Sequence, residues 1–234
     1  MTEFRPTRFQ MIPPVIKNLI IINVLVFLAQ QAFGKNPNFS IENYFALHDL
    51  HSAFFRPHQL VTYMFLHGGW DHIFFNMFAL WMFGAILENF WGSKRFLIFY
   101  IACGIGSGLL HLLVLYQEMR PIAEQLSHYS IADQQELMYD PTNPLNGATL
   151  GASGAVFGCL AAFGYLFPNS LIYLYFFVPI KAKWFVLIYA GMELFLGVRN
   201  SAGDNVAHWA HLGGAIVGIL FVLYWKKTDR RNFY

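Results

Sequence analysis

Three short segments of the sequence carry side chains that could activate and stabilise an acyl-transfer reaction. Ser153 lies in the run GASG, His211 lies in the run AHLGGAIVG, and His72 precedes Asn76 by four residues. A serine hydroxyl becomes a nucleophile when an imidazole within about 3 Å takes its proton. The i,i+4 spacing of His72 and Asn76 places both side chains on one helix face. These residue types predict Ser153 as nucleophile and His211 as base.

The same reaction needs hydrogen-bond donors that stabilise a tetrahedral oxyanion. We expect them to be His72, the Asn76 amide and the backbone N–H of Ser153. An alternative stays open for His72 and Asn76, which could simply join two helices by hydrogen bonds. In the resulting site, Ser153 and His211 would be the catalytic residues, and His72 and Asn76 would bind the oxyanion.

No carboxylate stands at an obvious spacing to orient His211, since Asp204 lies in the preceding loop. The sequence therefore predicts a Ser–His dyad and no triad. Glu193 is expected to hydrogen-bond within the helix bundle, and His208 is expected to be structural. No HExxH, HxxxH or CxxC spacing occurs, so we expect neither a metal nor another cofactor.

The elements that hold these residues are predicted from composition. Of 234 residues, 56% are hydrophobic and only 12% are charged, against about 25% in a typical soluble domain. A net charge of +2 offers no basic stripe for nucleic acid, so we expect no nucleic-acid partner. The composition indicates an all-α polytopic membrane protein in contact with the lipid bilayer.

Six apolar stretches have about the length that a helix needs to cross hydrocarbon. They are residues 16–34, 72–90, 96–116, 148–167, 184–198 and 206–225. We interpret residues 1–234 as one membrane-embedded domain. Ser153, His211 and Asn76 fall five or six residues into their spans, about 6–8 Å below the helix start. The polar residues of the three segments should therefore meet in one layer. A shorter apolar run, 171–180, is expected to be a connector at the membrane interface.

Small residues indicate that two of these spans approach closely. Gly154 and Gly158 stand four residues apart on the fourth span, and Gly214 and Gly218 do so on the sixth. Such faces let helix backbones touch. Together with Gly151, these glycines are expected to support packing around the site.

Lysine and arginine set the orientation of the spans. With the N-terminus inside, the inner segments hold most of the 15 basic residues. They are Arg5, Arg8, Lys17, Lys94, Arg95, Lys181, Lys183, Lys226, Lys227, Arg230 and Arg231. We expect both termini in the cytoplasm of a bacterial inner (plasma) membrane. The long outer segment 117–147 is acidic, and the sequence assigns it no role.

Taken together, GASG, His72-xxx-Asn76 and AHLGGAIVG resemble the motifs of the rhomboid intramembrane serine proteases. The resemblance covers all six spans, from about Pro14 to Trp225. It implies the six-helix rhomboid bundle and a Ser153–His211 dyad that cleaves single-span membrane proteins near the outer membrane face. It also implies a structural role for Glu88. The oligomeric state is not implied.

Two other classes of protein remain as alternatives. A non-catalytic relative would bind transmembrane clients without cutting them, although such relatives have lost the serine or the histidine. A transporter would show repeated halves and broken helices at the mid-membrane, and the sequence shows neither.

Overall fold

The computed structural model describes residues 9–34, 39–140, 142–174, 177–199 and 207–228. The helices are α1 (Pro14–Phe33), α2 (Ile41–Phe45), α3 (Gln59–Thr62), α4 (Trp70–Ala79), α5 (Ala85–Trp91), α6 (Ser93–Leu126), α7 (Ile131–Tyr139), α8 (Ser153–Leu166), α9 (Ala182–Arg199) and α10 (His208–Thr228). The strands are β1 (Leu47–His48), β2 (Ala148–Thr149), β3 (Leu171–Leu174) and β4 (Val178–Lys181).

The predicted all-α polytopic membrane fold is confirmed. Among the described residues, the helices Pro14–Phe33, Trp70–Trp91, Ser93–Leu126 and His208–Thr228 are long and apolar enough to cross a membrane. The second of these is α4 and α5 joined by a π-helical turn at Leu80–Gly84. The fourth and fifth predicted spans contain the shorter α8 and the more charged α9. The division into one domain stays a prediction.

Two predicted spans have different ends in the structure. The third span was expected to end at residue 116, but α6 continues through Pro121 to Leu126. The fourth was expected to begin at residue 148, but α8 begins at Ser153. The reason is that Ala148 and Thr149 pair as β2 with Leu47 and His48 of β1, and Gly151 has a φ of 134°, which no helix contains.

The short apolar run 171–180 forms most of a β-hairpin. Strand β3 pairs antiparallel with β4, with Leu171 opposite Lys181 and Leu174 opposite Val178. The hairpin joins α8 to α9. It also fixes the start of α9, because the N–H of Ala182 donates to the carbonyl of Ser170 at 2.8 Å.

Glu88 of α5 anchors the start of α1. Its carboxylate accepts hydrogen bonds from the backbone N–H groups of Val15 and Ile16, each at 2.9 Å. It also accepts from the hydroxyl of Ser93 at 2.6 Å. The first N–H groups of a helix have no partner within it, so a buried carboxylate there satisfies them. This gives Glu88 a structural role.

The acidic segment contains a helical hairpin, which we call the acidic hairpin and define as residues 117–140 and 142–146. It comprises the last turns of α6, the helix α7 and a short 3-10 turn. Asn146 ties it to the loop between β1 and α3, since its side chain accepts from the Ser52 hydroxyl at 2.7 Å. The Asn146 amide also donates to the carbonyls of Met138 and Asp140, each at 2.9 Å.

Candidate active site

Ser153 stands at the first position of α8, where the chain turns from β2 into the helix. The turn is held by a hydrogen bond from the N–H of Gly151 to the carbonyl of Tyr63 at 2.9 Å. Gly151 has a positive φ that L side chains rarely adopt. The sequence GASG therefore serves first to present the serine at a helix N-terminus.

The structure brings Ser153 and His211 together. The distance between Ser153 Oγ and His211 Nε2 is 2.9 Å, which is hydrogen-bond length. Phe157, one turn after Ser153, stacks on the imidazole with ring centroids 4.2 Å apart and planes 3° from parallel. The aromatic ring fixes the plane of the imidazole, so Nε2 is held toward the serine hydroxyl.

Glycine contacts between α8 and α10 make this short distance possible. A Cβ on Gly214 would overlap the carbonyl oxygen of Gly154. One turn further along, a Cβ on Gly218 would lie 2.7 Å from the carbonyl oxygen of Gly158. The two backbones are therefore in direct contact, and a short serine side chain can reach an imidazole on the neighbouring helix.

His72 lies beside the same turn. The N–H of Gly68 donates to His72 Nδ1 at 3.2 Å, which leaves the ring proton on Nε2. A Cβ on Gly151 would lie 2.9 Å from His72 Nε2 and 3.6 Å from Ser153 Oγ. The Nε2–H donor and the serine hydroxyl thus border the same small space, which the missing side chain of Gly151 keeps open.

Asn76 is buried one turn further along α4. Its amide donates to the carbonyl of His72 at 2.9 Å, a bond within its own helix. The structure therefore places Asn76 against His72, and the contacts of the described residues do not join it to Ser153. The backbone N–H of Ser153 is one of the first donors of α8, and such donors have no acceptor within the helix.

The expectation that no carboxylate supports His211 is wrong. Glu193 of α9 lies 3.0 Å from His211 Nδ1, measured to its Oε2 atom. The same oxygen lies 2.6 Å from His208 Nδ1. An ionisable residue within a membrane helix and two histidines three apart were the signals that could have found this cluster. Asp204, the carboxylate considered from the sequence, lies outside the described residues.

Among the described residues, one group of side chains lies close enough together to hold a metal ion. It consists of Glu193, His208 and His211. Two ligand atoms on a tetrahedral zinc ion, each at 2.0–2.1 Å, stand about 3.3 Å apart. The two nitrogen–oxygen distances, 2.6 and 3.0 Å, are shorter and fit hydrogen bonds. The contacts of Glu193 with the two histidines therefore have the lengths of hydrogen bonds.

Another buried histidine, His67, lies just before α4 in the loop that precedes the site. Its ring centroid is 5.1 Å from that of His72. Burial, with a smaller contribution from the neighbouring His72, lowers the pKa of His67 to about 4. His67 therefore stays uncharged at neutral pH, and it adds no positive charge beside His72.

Most of the chain is similar in sequence to known proteins. The Rhomboid domain family matches residues 55–227. RHOMBOID-like protein 12, mitochondrial, of Arabidopsis thaliana is 29% identical over 221 residues, which cover 94% of this chain and 60% of that protein. Rhomboid protein 1, mitochondrial, of Saccharomyces cerevisiae is 31% identical over 179 residues, covering 74% of this chain and 43% of that protein.

A bacterial relative is similar over a shorter part of its length. Rhomboid protease GluP of Bacillus subtilis is 30% identical over 161 residues, which cover 68% of this chain and 24% of that protein. The chain thus spans about 60% or less of the length of these three relatives.

Proposed function

This chain belongs to the rhomboid family, and from that premise we propose that it is a serine endopeptidase that hydrolyses peptide bonds of membrane proteins within the bilayer. The observation that carries the proposal is the 2.9 Å hydrogen bond between Ser153 and His211 inside an apolar helical protein. Two Bacillus subtilis relatives are named Rhomboid protease GluP and Putative rhomboid protease YdcA.

In the first step, Ser153 Oγ attacks the carbonyl carbon of the scissile bond. His211 Nε2 takes the hydroxyl proton as the oxygen–carbon bond forms, and the carbonyl oxygen becomes an oxyanion. The carbon–nitrogen bond then breaks, and His211 gives the proton to the leaving amine. A water molecule attacks the resulting ester with His211 again as base, which releases the carboxyl product and restores Ser153.

The oxyanion would be stabilised by donors at the N-terminus of α8. The backbone N–H of Ser153 is one such donor. The Nε2–H of His72 is a second, and it borders the space beside Gly151 together with the Ser153 hydroxyl. The Asn76 amide donates to the backbone carbonyl of His72, and we propose it as a third donor to the oxyanion. Loss of one such donor costs about 10²–10³ in rate in well-studied serine proteases.

Substrates are proposed to be single-span membrane proteins cut near the outer membrane face. A peptide bond within a helix is shielded by its own hydrogen bonds, so the substrate must unwind locally. Small or helix-breaking residues near the cut should favour this local unwinding.

We further propose that the protein lies in a bacterial inner membrane with both termini inside. The relatives include proteins named as mitochondrial and chloroplastic and a protease of Bacillus subtilis. Residues 1–8 and 229–234 lie outside the described part of the chain.

The test is a cleavage assay in liposomes with a model single-span substrate. Wild type should cut the substrate, and Ser153→Ala and His211→Ala should not, with folding of each variant checked by thermal unfolding. Full cleavage by Ser153→Ala would overturn the proposal. Equal capture of the uncut substrate by wild type and Ser153→Ala would instead indicate a protein that binds transmembrane clients.

A further inference from the structure

Glu193 joins two histidines of the neighbouring helix through one carboxylate oxygen. Its Oε2 atom lies 2.6 Å from His208 Nδ1 and 3.0 Å from His211 Nδ1. Glu193 and His208 are both buried, and the His211 side chain is only 12% exposed. A buried carboxylate is costly unless it is hydrogen-bonded, so this arrangement needs an explanation beyond chance contact.

The proton positions follow from the chemistry of the three groups. An ionised carboxylate only accepts hydrogen bonds, so both Nδ1 atoms must carry their protons. A neutral imidazole protonated at Nδ1 has its lone pair at Nε2. His211 Nε2 is therefore left to accept the hydroxyl proton of Ser153, which is the tautomer that a general base requires.

We propose that Glu193 is a positioning residue of the proposed protease, and that His208 in turn fixes the Glu193 carboxylate. Glu193 holds His211 in the Nδ1–H tautomer and balances the positive charge that His211 gains when it takes the serine proton. The carboxylate itself stays ionised throughout. This inference rests on the proposed function, because it concerns the base of that reaction.

The geometry separates the two histidines into different roles. His208 makes the shorter bond to Glu193, whereas His211 is the histidine whose Nε2 atom meets the Ser153 hydroxyl. The spacing of three residues puts His208 and His211 on neighbouring positions of one face of α10. Close packing of α9 on α10 supports the contact, since a Cβ on Gly197 would lie 3.3 Å from His208 Cβ.

The role predicts which kinetic constant changes. Removing the orienting carboxylate of a serine-protease triad lowers kcat by about 10⁴. Glu193 is shared with His208, so we expect a smaller loss, of about tenfold or more, for Glu193→Gln. KM should stay unchanged because Glu193 lies behind His211, on the side away from Ser153. Glu193→Asp keeps the charge and should recover part of the loss.

Glu88→Gln provides a matched control, because Glu88 is also a buried carboxylate but caps α1. It should lower the melting temperature without changing kcat of the folded protein. Glu193→Gln should instead lower kcat and the rate at which a fluorophosphonate labels Ser153. Wild-type values of both rates in folded Glu193→Gln would overturn the inference.

A spectroscopic measurement tests the inference on the unaltered protein. ¹⁵N NMR of histidine-labelled protein, with His211 assigned by comparison with His211→Gln, should report the Nδ1–H tautomer. The Nε2–H tautomer in wild type would overturn the inference even if the Glu193 variants fail to fold. Ser153→Ala is measured in parallel, so that a failure of the proposed protease function can be distinguished from a failure of the proposed role of Glu193. Cleavage by Ser153→Ala rejects the protease, whereas wild-type kcat in Glu193→Gln rejects only the role of Glu193.

Discussion

Gly214 of α10 lies directly against the carbonyl oxygen of Gly154 in α8, with no space for a Cβ between them. Gly154 follows Ser153 in the chain, and Gly214 stands one helical turn after His211. The glycine contact therefore sets the separation of the two helices at the level where the serine and the imidazole meet. The 2.9 Å bond between Ser153 and His211 depends on it.

Gly214→Ala should separate these helices and lower activity. Overpacking a tight contact costs about 1–3 kcal/mol, and a displacement of about 1 Å at reacting groups can cost about 10² in rate. Thermal unfolding and cleavage rate measure the two effects. Gly191→Ala in α9 is the control, because a Cβ there meets no atom within 4 Å. Equal activity of the two variants would show that the glycine contact does not set the dyad distance.

Gly151→Ala should lower activity for a different reason. A Cβ there would lie 2.9 Å from His72 Nε2, and the φ of 134° is unfavourable for alanine by about 1–3 kcal/mol. We expect a lower kcat, because His72 must move out of the space beside Ser153. Gly69→Ala is the matched control, since its extended backbone accepts any residue and its surroundings are open. A kcat for Gly151→Ala equal to that of Gly69→Ala would contradict this role of Gly151.

Chelators should leave cleavage unchanged. Glu193, His208 and His211 are separated by hydrogen-bond distances, which are shorter than those between two ligands of one zinc ion. The protein is treated with EDTA, the chelator is removed, and the cleavage rate is compared with the rate before treatment. A loss of activity that added zinc restores would show that the cluster binds a metal.

Asn146→Ala should loosen the acidic hairpin. The substitution removes the acceptor of the Ser52 hydroxyl and the donor to Met138 and Asp140. Leaving buried polar groups unpaired costs about 1–3 kcal/mol. Hydrogen exchange should therefore become faster in α7. Thr142→Ala is the comparison, because its hydroxyl bond to Asp140 is exposed. Unchanged protection of α7 in Asn146→Ala would mean that other contacts hold the hairpin.

The sequence predicted the helical membrane fold because apolar length is a direct requirement of hydrocarbon thickness. It also predicted that Ser153 and His211 approach each other, because the glycine spacing of their helices permits close contact. The helix ends were harder to predict. The start of α8 depends on the pairing of Ala148 and Thr149 with a loop about 100 residues away in the chain.

Glu193 shows why part of the site could not be predicted. Its helix, α9, carries no motif that fixes its rotation, so the sequence did not indicate which neighbour the carboxylate faces. The contact with His211 arises from the packing of two helices, not from spacing within one helix. The same holds for Phe157, whose stacking on His211 depends on the separation of α8 and α10.

The most direct test of the account is the labelling of the serine itself. The folded wild-type protein should react with a fluorophosphonate at Ser153, as located by mass spectrometry, because His211 activates the hydroxyl. His211→Ala should fold and lose this labelling. Labelling of Ser153 at the wild-type rate in His211→Ala would contradict the claim that the two residues act as nucleophile and base.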